Sequence, residues 1–233
     1  DWHSYQIEME LIIEKLTTGL ISVFNLFILN VEFPKTITDI EIDLEPDSTF
    51  LNFNYTNTIE RYYGIQEKDI CYIHNKVKAD ESKIILGHGT DPENYKEEKE
   101  VPPSGLSDEE IQQWEEYMSD QFDLSYENAK GEILSYYTKA FKNTQTVIDN
   151  NIDFFNSLEN VETIYVLGHS MSEVDIKYFE KIVSVSKGNP NWIVSYHRED
   201  EKEKYLKILI DLGIEKSKVQ QIKIENLRGK VSR

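Results

Sequence analysis

Three short segments of this 233-residue chain join an apolar run to groups that can do chemistry: FNYTNTIE at 53–60, LGHGTD at 86–91 and VLGHSMSEVD at 166–175. In an α/β protein the loops leaving the carboxyl ends of strands meet helix N-termini, and ligands bind there. Three such endings predict one composite pocket. Asn54 and Thr56 sit where a strand gives way to a helix. The Asn54 amide can donate and accept hydrogen bonds to a ligand. The plainer alternative is that one of the two caps the helix, worth about 1 kcal/mol. His74 lies inside the apolar stretch DICYIHNKV. It is either a satisfied core residue or a general base, since imidazole titrates near neutral pH.

His88 stands between Gly87 and Gly89. Glycines let the backbone approach a ligand closely and leave the imidazole open; the bland alternative is a loop histidine bonded to backbone. The turn Gly168, His169 and Ser170 lies between a buried strand and a helix N-terminus, the best anion site in the chain, unless Ser170 or Ser172 merely caps that helix. Asp175 reads first as the acidic member of a capping box begun by Ser172. Its functional alternative is to orient His169 or a ribose hydroxyl.

Two familiar chemistries fit less well. His74, His88, His169 and Asp175 could supply a zinc set, but no close-spaced pair of the HExxH kind exists, so no metal is expected. GHSMS lacks the final glycine of a hydrolase nucleophile elbow. Tyr62, Tyr63, Tyr136 and Tyr137 are expected in the core or at an interface.

The elements that must position these residues can be read from periodicity. Apolar residues between 4 and 31 recur near every 3.6 residues, predicting one long helix or two broken ones that Pro34 ends. Strands are expected at 49–55, 69–77 and 83–88. A polar loop covers 90–106. Ser107 and Glu110 form a capping box that opens a helix to about residue 119, and a further helix covers 125–157. The C-terminal third reads strand 163–168, helix 172–187, strand 191–197, helix 199–212 closed by Gly213, and strand 219–225. That alternation implies a parallel sheet with right-handed crossovers. The fold class expected is α/β, a Rossmann-like, mostly parallel sheet in one domain over 1–233. Its parts are a helical lead-in (1–48), strands (49–90), an acidic helical insertion (91–157) and a βαβαβ unit (158–233).

Composition bounds the answer. The chain is 39% hydrophobic and 29% charged, with a formal charge of −18, which suits a soluble globular protein and speaks against a general nucleic-acid binder. Residues 91–132 carry fourteen acids against three lysines, and residues 216–233 six basic residues against one acid. The basic tail offsets the acidic insertion, or meets an acidic partner. The apolar run 20–31 is too short for a membrane span and is interrupted by Asn25 and Asn30. No signal peptide is visible, and one cysteine, Cys71, allows no internal disulfide. The cytoplasm is the expected location, with no membrane partner.

The order FNYTNTIE, then IH at 73–74, LGHG and VLGHSMSEVDIKYFEKI resembles the bacteriophage abortive infection AbiH family. The resemblance covers about residues 49–185 and is specific in its order rather than in any one piece. It implies a phage-defence protein. The family in turn resembles sirtuin-like proteins, which bind or cleave NAD on a Rossmann-type fold. Carried over, the cofactor contact falls on Asn54, the base on His74, and the adenosine ribose site on Gly168 with Ser170. Two positions depart from that pattern: Thr56 stands where an acid is usual, and Asn75 where a glycine follows the histidine. The family's opening Gly-Asn-Gly-Phe-Asp turn does not occur, and we expect a segment upstream of Asp1 to supply it.

The resemblance implies a pocket for NAD or a related nucleotide, lined by Asn54, Thr56, Gly87, Gly168, His169, Ser170 and Asp175. NAD hydrolysis would be carried by His74 or His88 with Asn54. The alternative is a non-enzymatic sensor of a nucleotide or of a phage protein, signalling through the helical insertion. Self-association as a homo-oligomer is compatible with either. A nuclease or RNA-binding effector is the weakest of the three readings.

Overall fold

The computed structural model describes residues 4–37, 41–45, 47–79, 83–96 and 100–227. The end of the basic tail, and Glu97 and Glu98 of the acidic stretch, lie outside the described residues. The chain divides into two compact units, one of residues 1–24 and 86–142, the other of residues 25–85 and 143–233.

The first unit is helical. Helix α1 (Ser4–Glu14) packs on α5 (Leu124–Lys139), burying Ile13, while Ala129 of α5 is fully buried. A π-turn, Lys15–Gly19, continues α1 into α2 (Leu20–Leu29). Within it the Thr17 hydroxyl donates to the Ile13 carbonyl at 2.7 Å, a back-bond that often accompanies a bend. Among the described residues, one helix, Ser4–Leu29, is long and apolar enough to cross a membrane, longer than the apolar run within it suggests. Helix α4 (Asp108–Gln121) opens with the expected capping box. The Ser107 N–H donates to Glu110 at 2.8 Å, and the Glu110 N–H donates back to the Ser107 hydroxyl.

The second unit holds the strands and makes the fold α/β. A three-stranded sheet has the order β3 (Thr163–Val166), β4 (Asn191–Tyr196), β5 (Val219–Lys223), all parallel. β1 (Phe50–Asn52) and β2 (Ile70–Tyr72) form a separate parallel pair, with Asn52 opposite Tyr72. Helix α3 (Thr58–Tyr63) lies between β1 and β2 in sequence, α8 (Ile176–Val185) between β3 and β4, and α9 (Asp200–Asp211) between β4 and β5. Tyr178, Phe179 and Ile182 face inward from α8, and Tyr205 and Leu209 from α9, at helical spacing. One core cluster joins these residues to Ile73, Phe155, Val166, Trp192 and Val194, with Leu51, Phe53 and Cys71 packed against it.

The strands expected at 49–55 and 69–77 are shorter, Phe50–Asn52 and Ile70–Tyr72, which leaves His74 in the turn after β2, and two further elements differ. Residues 83–88 do not form a strand, and of these only His88 makes an isolated bridge, with Phe141. The expected helix over 125–157 is three: α5, α6 (Thr144–Asn150) and α7 (Ile152–Ser157). Asn143 accepts the Thr146 N–H at 3.0 Å and starts α6 anew.

Candidate functional site

Three strands of the second unit, the parallel pair β1 and β2 and the edge strand β3 of the other sheet, deliver their carboxyl ends to one cluster. β1 runs into Phe53 and Asn54. The buried Asn52 side chain accepts the Asn54 N–H at 2.8 Å, turning the chain out of the strand. β2 runs into Ile73 and His74, both buried, and the His74 carbonyl accepts the Ile85 N–H. β3 runs into Gly168, His169, Ser170 and Met171. Gly168 has φ +63° and Met171 φ +46°, so the turn uses the left-handed region twice. The Gly168 N–H donates to the Ser195 hydroxyl on β4 at 2.8 Å, which fixes the turn to the neighbouring strand.

Asp175, at the head of α8, is the centre of the cluster. One carboxylate oxygen faces His74 Nε2 at 3.8 Å and the other faces His169 Nε2 at 3.5 Å. The Ser172 hydroxyl donates to it at 3.1 Å. Among the described residues the Ser172 side chain makes no cap to the backbone and bonds the Asp175 carboxylate instead. The Met171 N–H donates to His169 Nδ1 at 2.9 Å. That contact uses the Nδ1 lone pair, so the proton of a neutral His169 sits on Nε2, toward Asp175. His169 therefore has both nitrogens engaged. His74 presents Nε2 to a carboxylate, the arrangement that orients a general base.

Phe53 packs among these groups, 4.2 Å from His169 and 5.6 Å from each of His74 and Tyr178 between ring centroids, and stacks on Phe179 at 6.1 Å. The Asp175 charge is felt around it. Burial raises the Tyr55 and Tyr178 phenols above their ordinary values, and Asp175 raises both further. Tyr55 donates to the Ile85 carbonyl at 2.9 Å, tying the β1 end to the segment that comes after β2.

The other candidates take different places. Asn54 and Ser170 are exposed at the strand ends. Thr56 shares a hydrogen bond with Thr58 at 2.9 Å, and among the described residues no side chain caps α3. His88 and Gly87 belong to the first unit. Gly87 is required by backbone approach: a Cβ there would collide with the Ala140 carbonyl. His88 exchanges backbone hydrogen bonds with Ala140 and Lys142, and its ring lies among Tyr136, Tyr137 and Phe141. Both its ring nitrogens are buried and lack a hydrogen-bond partner among the described residues. Among the described residues no group of three or more His, Cys, Asp or Glu has the geometry to hold a metal ion.

Sequence reasoning does not single out Phe53 or Ser195. Phe53 reads as an ordinary strand residue, and Ser195 depends on the β3–β4 register, which no local pattern encodes. Ser172 is legible as a polar residue three before Asp175, but it bonds the Asp175 carboxylate where a helix cap is expected.

No curated protein and no solved structure matches the chain significantly. The profile described as Bacteriophage abortive infection AbiH matches residues 1–196. That span takes in all three strand ends and the Asp175 cluster they build, so the chain belongs to the bacteriophage abortive infection AbiH family.

Proposed function

We propose that this protein acts in phage defence by binding a nucleotide, NAD first, over the strand ends of the second unit and hydrolysing it. The observation that carries this is the meeting of His74, Asp175 and His169 at the carboxyl ends of parallel strands, the place where α/β proteins of Rossmann-like type bind nucleotides. Asn54 and Ser170 are exposed there and can hold ribose hydroxyls. Asp175 orients His74, which takes a proton from water as the water oxygen bonds to the ribose anomeric carbon. The bond to the pyridinium nitrogen breaks and neutral nicotinamide leaves, giving ADP-ribose. A phage protein is the trigger we infer, in the bacterial cytoplasm.

A second reading rests on burial. The side chains of His74, His169 and Asp175 are 7%, 15% and 15% exposed, and His169 has no nitrogen to spare. A closed cluster of this kind also suits a sensor that binds a nucleotide without turning it over.

Titration calorimetry with NAD and ADP-ribose, with chromatography of the incubated NAD, separates the readings. Binding with release of nicotinamide, lost in His74→Ala, supports hydrolysis. Binding with NAD left intact supports the sensor. No binding of either compound, by this chain or by a form extended upstream of Asp1, overturns the nucleotide site.

A further inference from the structure

Asn52 is the last residue of β1 and is buried. A carboxamide costs free energy at such a position unless it is hydrogen-bonded, and Asn52 has a partner at both ends of its own. Its side-chain oxygen accepts the Asn54 N–H at 2.8 Å. Its side chain also bonds the hydroxyl of Tyr72, directly opposite on β2. The Tyr72 proton is given to Glu60, so in that bond the Asn52 nitrogen donates.

The row of polar groups continues past Tyr72. Glu60, on α3, takes Lys76 Nζ on its other carboxylate oxygen at 2.8 Å, and Lys76 also meets Glu67 at 3.1 Å. The side chains of Glu60 and Lys76 are 18% and 15% exposed, and away from bulk water such bonds are stronger and hold their geometry better. The row therefore leads from the end of β1 across β2 to α3, and back to the chain two residues beyond His74. At its other end stands Asn54, exposed, with its backbone fixed by the Asn52 oxygen.

The strand itself does not call for an amide there. The other residues of β1, Phe50 and Leu51, are apolar, and leucine has the same branching as asparagine. The amide earns its place by what it holds. We propose that Asn52 is a positioning residue of the nucleotide site, which sets the Asn54 carboxamide against a ribose hydroxyl by fixing the turn between them. The assignment rests on the nucleotide reading above and applies to hydrolysis and to sensing alike.

Calorimetry with NAD tests it, on this chain or on the form extended upstream of Asp1, whichever binds. Asn52→Leu should weaken binding roughly 10-fold, the worth of one hydrogen bond. Its urea midpoint should stay close to that of the parent protein, because Tyr72 keeps Glu60 as a partner and the released Asn54 N–H can reach water. Asn54→Ala should weaken binding equally. The double variant should lose no more than either single one, because Asn52 acts through the Asn54 side chain. Tyr72→Phe removes only a hydroxyl and is the second probe where leucine disturbs the fold: it should weaken binding when Asn54 is present and leave it unchanged in Asn54→Ala. Unchanged affinity in Asn52→Leu and Tyr72→Phe, or losses that add in the double variant, overturn the proposal and leave the nucleotide site standing. Failure of both parent forms to bind NAD overturns the nucleotide site itself, and this assignment with it.

Discussion

His169 and His88 share the same local recipe, an apolar run ending in Leu-Gly-His, and acquire opposite surroundings. His169 has each nitrogen matched, Nδ1 by the Met171 N–H and Nε2 by Asp175. His88 has neither matched among the described residues, and its ring is held by Tyr136, Tyr137 and Phe141. The difference comes from the residues downstream of each histidine. After His169 the backbone turns left-handed at Met171, and a carboxylate arrives six residues on, at the head of α8. His88 is itself held by a backbone bridge to Phe141 instead. A Gly-His pair thus has no fixed surroundings of its own; the partners that the fold delivers decide between a polar-paired imidazole and a packed one.

The comparison can be broken most directly at its charged member. Asp175→Asn removes the group that both His74 and His169 face. If the cluster turns over NAD, turnover should fall by about 10²- to 10⁴-fold, the worth of a positioned acid or base, measured as nicotinamide released. A fall of less than tenfold would move the reacting centre elsewhere. Phe53→Ala is next. It removes the ring packed among His74, His169, Tyr178 and Phe179 and should cost about 3 kcal/mol in urea unfolding. An unchanged midpoint would show that the cluster is held without it.

His88→Phe should go the other way. Replacing a buried imidazole that lacks a hydrogen-bond partner with a ring of similar shape should leave stability unchanged or raise it by about 1 kcal/mol, with NAD turnover intact. Lost turnover would return His88 to the catalytic set. An effect confined to alkaline pH belongs to Cys71 on β2. Burial pushes its thiol up to about 11. Between the ordinary thiol value and that one, the folded chain keeps a proton the unfolded chain has released. Stability should therefore decline as pH rises through that window, and Cys71→Ala should flatten the decline.

Much of the second unit is legible in the sequence because its signals are local. The apolar run TIYV, the inward residues of α8 and α9 and the glycine that closes α9 all lie within single elements. The cluster is legible at two of the three strand ends read from the sequence, 53–60 and 166–175, with Asp175 as a partner for His169; the third, 86–91, follows no strand among the described residues and belongs to the first unit. His74 joining the same carboxylate is not legible, because that depends on where β2 ends relative to α8. The 83–88 segment misleads because KIILGH has strand composition, whereas its bridge is made by a histidine beside a glycine that the Ala140 carbonyl demands. The break in the helix over 125–157 is readable in principle, since Asn143 precedes Thr144 and Thr146 as a cap, but helical periodicity on both sides hides it.

Met171 gives the site an evolutionary consequence. Its backbone favours glycine or asparagine, yet its side chain is 1% exposed within the core. A residue chosen for the backbone leaves a hole, and a branched residue chosen for the core opposes the turn. Saturation mutagenesis read by folding alone should find few replacements that survive there, while exposed Ser170 beside it accepts many. The least conspicuous residue of the turn is then its narrowest sequence filter.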